Sequence, residues 1–86
     1  MIAATTKTYK ITRAYLDGTQ RGYTVGIIVR GRRVDLSHFE DSDEGYRAAC
    51  GCQDSINKHG CWTGRKANSE WTVQIRGKTA TFQKFD

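Results

Sequence analysis

The sequence predicts an α+β protein, mainly antiparallel β-sheet, with elements in the order βββαββ. Three observations carry that expectation. Short runs rich in β-branched and aromatic residues alternate apolar and polar side chains at period two, as half-buried strands do. Dipeptides with turn chemistry (Asp17-Gly18, Arg30-Gly31 and Arg76-Gly77) separate these runs. Between them lies one stretch, residues 41–60, whose apolar positions instead recur every three or four residues.

Residues 7–16 form the first expected strand, with Tyr9, Ile11 and Arg13 on one face, and Asp17-Gly18 turns the chain. In residues 23–29, Tyr23, Val25, Ile27 and Val29 share a side, and the interior Gly26 marks a bulge or a close backbone approach. After Arg30-Gly31, residues 32–39 place Val34 and Leu36 on one face and Arg33 and Asp35 on the other. Asp41 stands three residues before Glu44, capping-box spacing for a helix start, and Asp43 and Glu44 complement the positive end of the helix dipole. Tyr46, Ala49, Cys50, Gln53 and Ile56 define its buried stripe. Lys58 and His59 suit the last turn, and Gly60 suits the stop. Gly45 and Gly51 each cost about 1 kcal/mol relative to alanine, so the helix depends on packing. Residues 60–69 read as a loop. A hairpin follows, residues 70–75 and 78–85, with Trp71, Val73 and Ile75 as its apolar face.

Eighty-six residues make a single domain, 1–86, that buries about 60–65% of its unfolded surface, one modest core without a two-lobed cleft. This argues against an enzyme, and no cofactor or small-molecule substrate is expected. The longest apolar run, Ile27-Ile28-Val29, is far short of the roughly 20 residues that span a bilayer, so no membrane role is expected. Residues 1–7 lack an apolar leader, and three cysteines, an odd number, do not suggest a disulfide framework. The expectation is therefore a reducing, cytoplasmic location.

The net charge is +5, from fourteen Lys/Arg against nine Asp/Glu. Five of the acids, Asp35, Glu40, Asp41, Asp43 and Glu44, fall within ten residues, so both ends of the chain are cationic and the middle is anionic. Cationic surfaces attract phosphate backbones through long-range field and counterion release.

Three constellations are candidates for chemistry. Cys50, Cys52, His59 and Cys61 are zinc-capable residues within twelve positions. Two residues apart on a helix, however, Cys50 and Cys52 point about 200° apart and can share a metal only if the helix breaks at Gly51. A cysteine nucleophile with His38 or His59 lacks an orienting acid and an oxyanion-hole motif. The third is basic residues interleaved with aromatics. Lys10, Arg13, Arg21, Arg30, Arg32 and Arg33 lie on or beside the first three strands and, if these pair side by side, gather into one positive face for phosphates and base edges. Tyr15, Tyr23, Trp62 and Trp71 are candidates to stack unpaired bases.

The stretch from Tyr23-Thr24-Val25-Gly26-Ile27-Ile28-Val29-Arg30-Gly31-Arg32-Arg33 through Leu36-Ser37-His38-Phe39 to Arg47-Ala48-Ala49 resembles the Apetala-type DNA-binding domain of plant transcription factors and its relatives in phage integrases and homing endonucleases. The resemblance implies a three-stranded antiparallel sheet packed on one helix, with the outer sheet face on DNA and Arg13, Arg30 and Arg33 as leading contacts. Gly26 and Ile28 stand where that family carries charge. The expected function is a small, basic, non-enzymatic nucleic-acid-binding module, DNA ahead of RNA. The rival is a protein-binding inhibitor or adaptor of the kind phages and mobile elements encode, such as an anti-CRISPR or anti-defence protein, acting on a nucleic-acid-handling protein. In that case Ile28, Trp62 or Phe85 would anchor the contact and the acidic residues 35–44 would dock a basic surface.

Overall fold

The structure, a computed structural model, describes residues 4–67 and 69–85. The N-terminal residues read above for a leader fall partly outside these, as does Asn68 of the expected loop. The described residues form β1 (Ala4–Lys10), β2 (Ala14–Thr19), β3 (Gly22–Val29), β4 (Arg32–Glu40), α1 (Asp43–Asp54), β5 (Cys61–Arg65), β6 (Thr72–Arg76) and β7 (Thr79–Phe85). The α+β class with antiparallel sheet and one helix is as expected. The strand count and order are not: seven strands form two sheets, β1-β7-β6-β5 and β2-β3-β4.

The largest departure lies in the first expected strand. Residues 7–16 are not one strand in one sheet, because β1 pairs with β7 and β2 pairs with β3. The chain passes between sheets through residues 11–13, where the Ile11 amide donates to the Lys78 carbonyl on one side. The Thr12 amide donates to the Ile28 carbonyl, and the Ile28 amide to the Arg13 carbonyl, on the other. Successive amides of an extended chain point to opposite edges, so one bent segment joins both sheets. Where the chain has left β7 and begins β2, the Asn57 side chain takes the place of a neighbouring strand. Its Oδ1 accepts from the Ala14 amide at 2.8 Å and its Nδ2 donates to the Ala14 carbonyl at 3.3 Å.

Asp17-Gly18 is not a turn but part of β2, and the chain reverses at Gln20-Arg21. A turn at Asp17-Gly18 would set Leu16 against Thr19 and Ala14 against Arg21. The observed register sets Ala14 against Ile27 and Leu16 against Val25, and burial of these apolar pairs outweighs local turn preference. Thr19 secures the actual turn, its Oγ1 accepting from the Arg21 amide and donating to the Gly22 carbonyl.

The N-cap of α1 is Ser42 rather than Asp41, with Ser42 Oγ accepting from the Gly45 amide at 2.9 Å. Gly45 lies directly against the Glu40 carbonyl at the end of β4, which leaves no room for a side chain at this position. The helix continues as a π-type turn, Ser55–His59, and stops at Gly60 in the left-handed conformation, as the Lys58-His59-Gly60 pattern indicated. Part of the expected loop, residues 61–65, is the edge strand β5.

The core draws on both sheets and the helix. Val25, Ile27 and Leu36 meet Ala49 and Ile56, and Val73, Ile75, Ala80 and Phe82 close it from the second sheet. Burial of each Val, Ile, Leu or Phe side chain here is worth about 1.5–3 kcal/mol, and of each alanine methyl less than about 1 kcal/mol. Tyr46, expected in the buried stripe, is 48% exposed and meets Tyr23 edge-on at 5.1 Å. The molecule measures 44 × 24 × 20 Å.

Candidate functional site

Where β1 runs past the tip of the β3–β4 hairpin, the fold leaves a groove of about 670 Å³. Lys7 and Tyr9 alternate onto its side of β1, and Phe82, opposite Lys7 in the sheet, forms part of its floor with Val29 and Val34. The hairpin contributes Arg30 and Arg32, and the β5–β6 connection contributes Lys66 and Trp71. Four cations thus surround three aromatic rings, and none of the described residues lining the groove is acidic.

The side chains pair cation with ring. The Arg30 guanidinium carbon stands 5.3 Å from the Tyr9 ring centroid and Lys7 Nζ stands 5.8 Å from that of Trp71. Tyr9 in turn meets Phe82 edge-on at 5.8 Å. Exposed contacts of this type contribute about 0.5–1 kcal/mol each. The ion pairs among the described residues, Arg33–Asp17, Lys58–Asp54 and Lys84–Glu70, involve none of the four groove cations.

The hairpin that brings Arg30 here is strained. Val29 pairs with Arg32 across a two-residue loop in which Arg30 has φ 52° and Gly31 φ 77°, the mirror-image turn that matches strand twist. Glycine takes such angles without penalty, but for other L-residues the left-handed region costs roughly 1–2 kcal/mol. Among the described residues Arg30 is the one non-glycine held there.

The six basic residues singled out in the sequence do not share one face, because the strands that carry them divide between two sheets. Arg30 and Arg32 meet at the groove. Arg33 points to the opposite side of β4, where it pairs with Asp17 and lies 4.8 Å over the Tyr15 ring. Arg21 sits in the β2–β3 turn, its carbonyl 3.2 Å from His38 Nε2. Lys10 alternates onto the outer face of the four-stranded sheet, on the same face as Arg65 and Arg76. Arg13 lies beside a smaller cleft of about 260 Å³, with Lys58, His59 and Lys78. Lys58 and His59 are at the helix C-terminus, where positive charge offsets the dipole.

On the outer face of β2-β3-β4, which the family resemblance assigns to DNA, Tyr15 lies flat while Arg33 and Asp35 remain exposed. Tyr15 crosses Gly26 and is only 2% exposed. A Cβ on Gly26 would stand 2.5 Å from the Tyr15 hydroxyl oxygen, which explains the glycine within the strand. The Tyr15 hydroxyl donates to Asp35, and burial first, then that bond, push its pKa well above the ordinary phenol value.

The zinc-capable residues do not converge either. The helix runs through Gly51 unbroken, with Cys50 beside the Tyr46 hydroxyl and Cys52 beside Trp62. Among the described residues no three His, Cys, Asp or Glu side chains could hold a common metal ion. Burial raises the Cys52 thiol pKa, partly offset by its contact with Trp62.

Sequence reasoning missed Lys7, Lys66, Tyr9 and Phe82 as site residues. The Lys7-x-Tyr9 alternation was a usable signal, since it puts both on one strand face. The meeting of residues 7–9 with residues 29–34 and 66–82 had none. Neither a protein-family model, nor a curated protein, nor a solved structure matches this chain. Among the described residues, no helix is long and apolar enough to cross a membrane.

Proposed function

We propose that this protein is a non-enzymatic nucleic-acid-binding module and that the groove between β1 and the β3–β4 hairpin is its contact surface. The observation that carries the reading is four cations around one concavity with no acid among its described lining residues. Each is available to a phosphate, since none is engaged in an ion pair among the described residues. Charge along the molecule supports the same orientation. β4 leads from Arg32 at the groove to Glu40, roughly 26 Å away at the usual rise per residue, and Asp41, Asp43 and Glu44 follow at that far end. At physiological ionic strength this exceeds the Debye length of about 8 Å, so these four acids barely weaken the field at the groove; the nearer Asp35, Asp17 and Glu70 are engaged by Tyr15, Arg33 and Lys84.

Titration of labelled oligonucleotides at low salt tests the reading. If all four cations meet phosphates, the logarithm of affinity falls by roughly 3 per logarithm of salt on single strands. Arg32→Glu and Lys66→Glu should each weaken binding at least tenfold, whereas Arg65→Glu, on the outer face of the other sheet, should have a much smaller effect. Absence of binding to single-stranded or duplex nucleic acid at low salt would leave the alternative, a protein target docking on the acidic end.

A further inference from the structure

We infer that the groove takes single strands rather than duplex, with an unpaired base entering between a cation and an aromatic ring; this rests on the nucleic-acid reading above. The layering of the site is the first reason. Lys7, Arg30 and Arg32 are exposed at the rim, Tyr9 and Trp71 are half-buried beneath them, and Phe82 is 7% exposed. A duplex carries phosphates outside and stacks its bases inside, so it reaches the rim and leaves the rings unused. A single strand can set phosphates on the rim and turn bases inward.

The spacing of the cation–ring pairs is the second reason. Arg30 and Tyr9 are 5.3 Å apart, and Lys7 and Trp71 are 5.8 Å apart. A base between two stacked layers needs about 7 Å, twice the optimal contact distance. The pairs must therefore widen by under about 2 Å, which side-chain rotation at an exposed Arg30 or Lys7 supplies on the picosecond-to-nanosecond timescale. The protein's own cation–ring contacts occupy the positions that a base would take, and they keep the rings covered when no strand is bound.

The strained hairpin is the third reason. A sequence selected for the turn alone would place asparagine or glycine at the first loop position. Arginine there directs a guanidinium over Tyr9 despite its left-handed backbone, and strain of this kind gathers at binding sites.

The experiment compares three probes on the unsubstituted protein: oligothymidylate, a duplex of equal length, and inorganic polyphosphate of matched charge. Trp71 emission is followed in parallel in Trp62→Phe protein. The expected result is tightest binding of oligothymidylate, with quenching of Trp71. Tyr9→Leu should weaken that binding roughly 5- to 150-fold, the effect of one lost base stack, while leaving the salt slope unchanged. If Tyr9→Leu unfolds the chain, the probe comparison and the quenching decide alone. Duplex or polyphosphate binding as tightly as oligothymidylate, without Trp71 quenching, would overturn the inference and leave a groove that binds phosphate only. Binding of none of the three would overturn the proposed function as well.

Discussion

Arg30→Asn is expected to leave stability almost unchanged while it weakens ligand binding. The backbone at residue 30 has φ 52°, and asparagine is several-fold enriched in that region. Of the roughly 1–2 kcal/mol that the left-handed conformation costs an ordinary residue, asparagine should recover about 1 kcal/mol. Against this stands the guanidinium over the Tyr9 ring, worth about 0.5–1 kcal/mol at an exposed site. The two nearly cancel, so urea unfolding followed by circular dichroism should give a midpoint equal to the parent's or slightly above it. Oligonucleotide titration over a range of salt should give a slope lower by about 0.7, the loss of one phosphate contact on a single strand. Destabilisation by more than about 1 kcal/mol would mean that the arginine side chain itself holds the hairpin, and the strain argument would fail. An unchanged salt slope would mean that Arg30 meets no phosphate.

Three further expectations concern the scaffold. Gly26→Ala should destabilise by at least about 1–3 kcal/mol in urea unfolding, since the new methyl presses on the Val34 carbonyl and the Tyr15 ring; a neutral result would mean that the β2–β4 face is looser than described. Tyr15 holds its proton more tightly folded than unfolded, through burial and the bond to Asp35. Above about pH 10, where unfolded tyrosine ionises, the unfolded state binds fewer protons and stability falls with rising pH. Tyr15→Phe should flatten that alkaline decline in the urea midpoint, and an unaltered decline would refute the assignment. Cys61 is exposed, whereas burial raises the Cys52 thiol pKa, so a disulfide reagent should modify Cys61 first. Cys61→Ser should remove the fast phase, and a fast phase that survives would place the reactive thiol elsewhere.

Local pattern was legible where it decided structure. Tyr23, Val25, Ile27 and Val29 alternate into β3, and Lys58-His59-Gly60 ends the helix as its chemistry requires. What the pattern does not encode is which distant segment a strand meets. The break at residues 11–13 leaves a trace in the sequence, a phase shift from odd apolar positions (Tyr9, Ile11) to even ones (Ala14, Leu16). Nothing local says that β1 then pairs with β7, more than seventy residues away in sequence at its first pair, Ala4 with Phe85. β5 was hidden because Thr63, Gly64 and Arg65 have no apolar alternation, and its extended form comes from pairing with β6. The candidate site suffers most from this. Arg30 and Arg32 could be read as binding residues from charge alone, but Lys7, Lys66 and the Tyr9–Phe82 floor belong to it only through long-range pairing. The same pairing sends Arg33 to Asp17 and Lys10 to the far face of the other sheet.

Amide and side-chain NMR shifts, followed while a short oligothymidylate is added, test the groove most directly. Binding there should move Lys7, Tyr9, Arg30, Arg32, Lys66 and Trp71 together, with Arg33, His38 and Arg65 nearly still. Shifts concentrated on Tyr15, Arg33 and Asp35, or on Lys10, Arg65 and Arg76, would place the nucleic acid on a sheet face and contradict the groove.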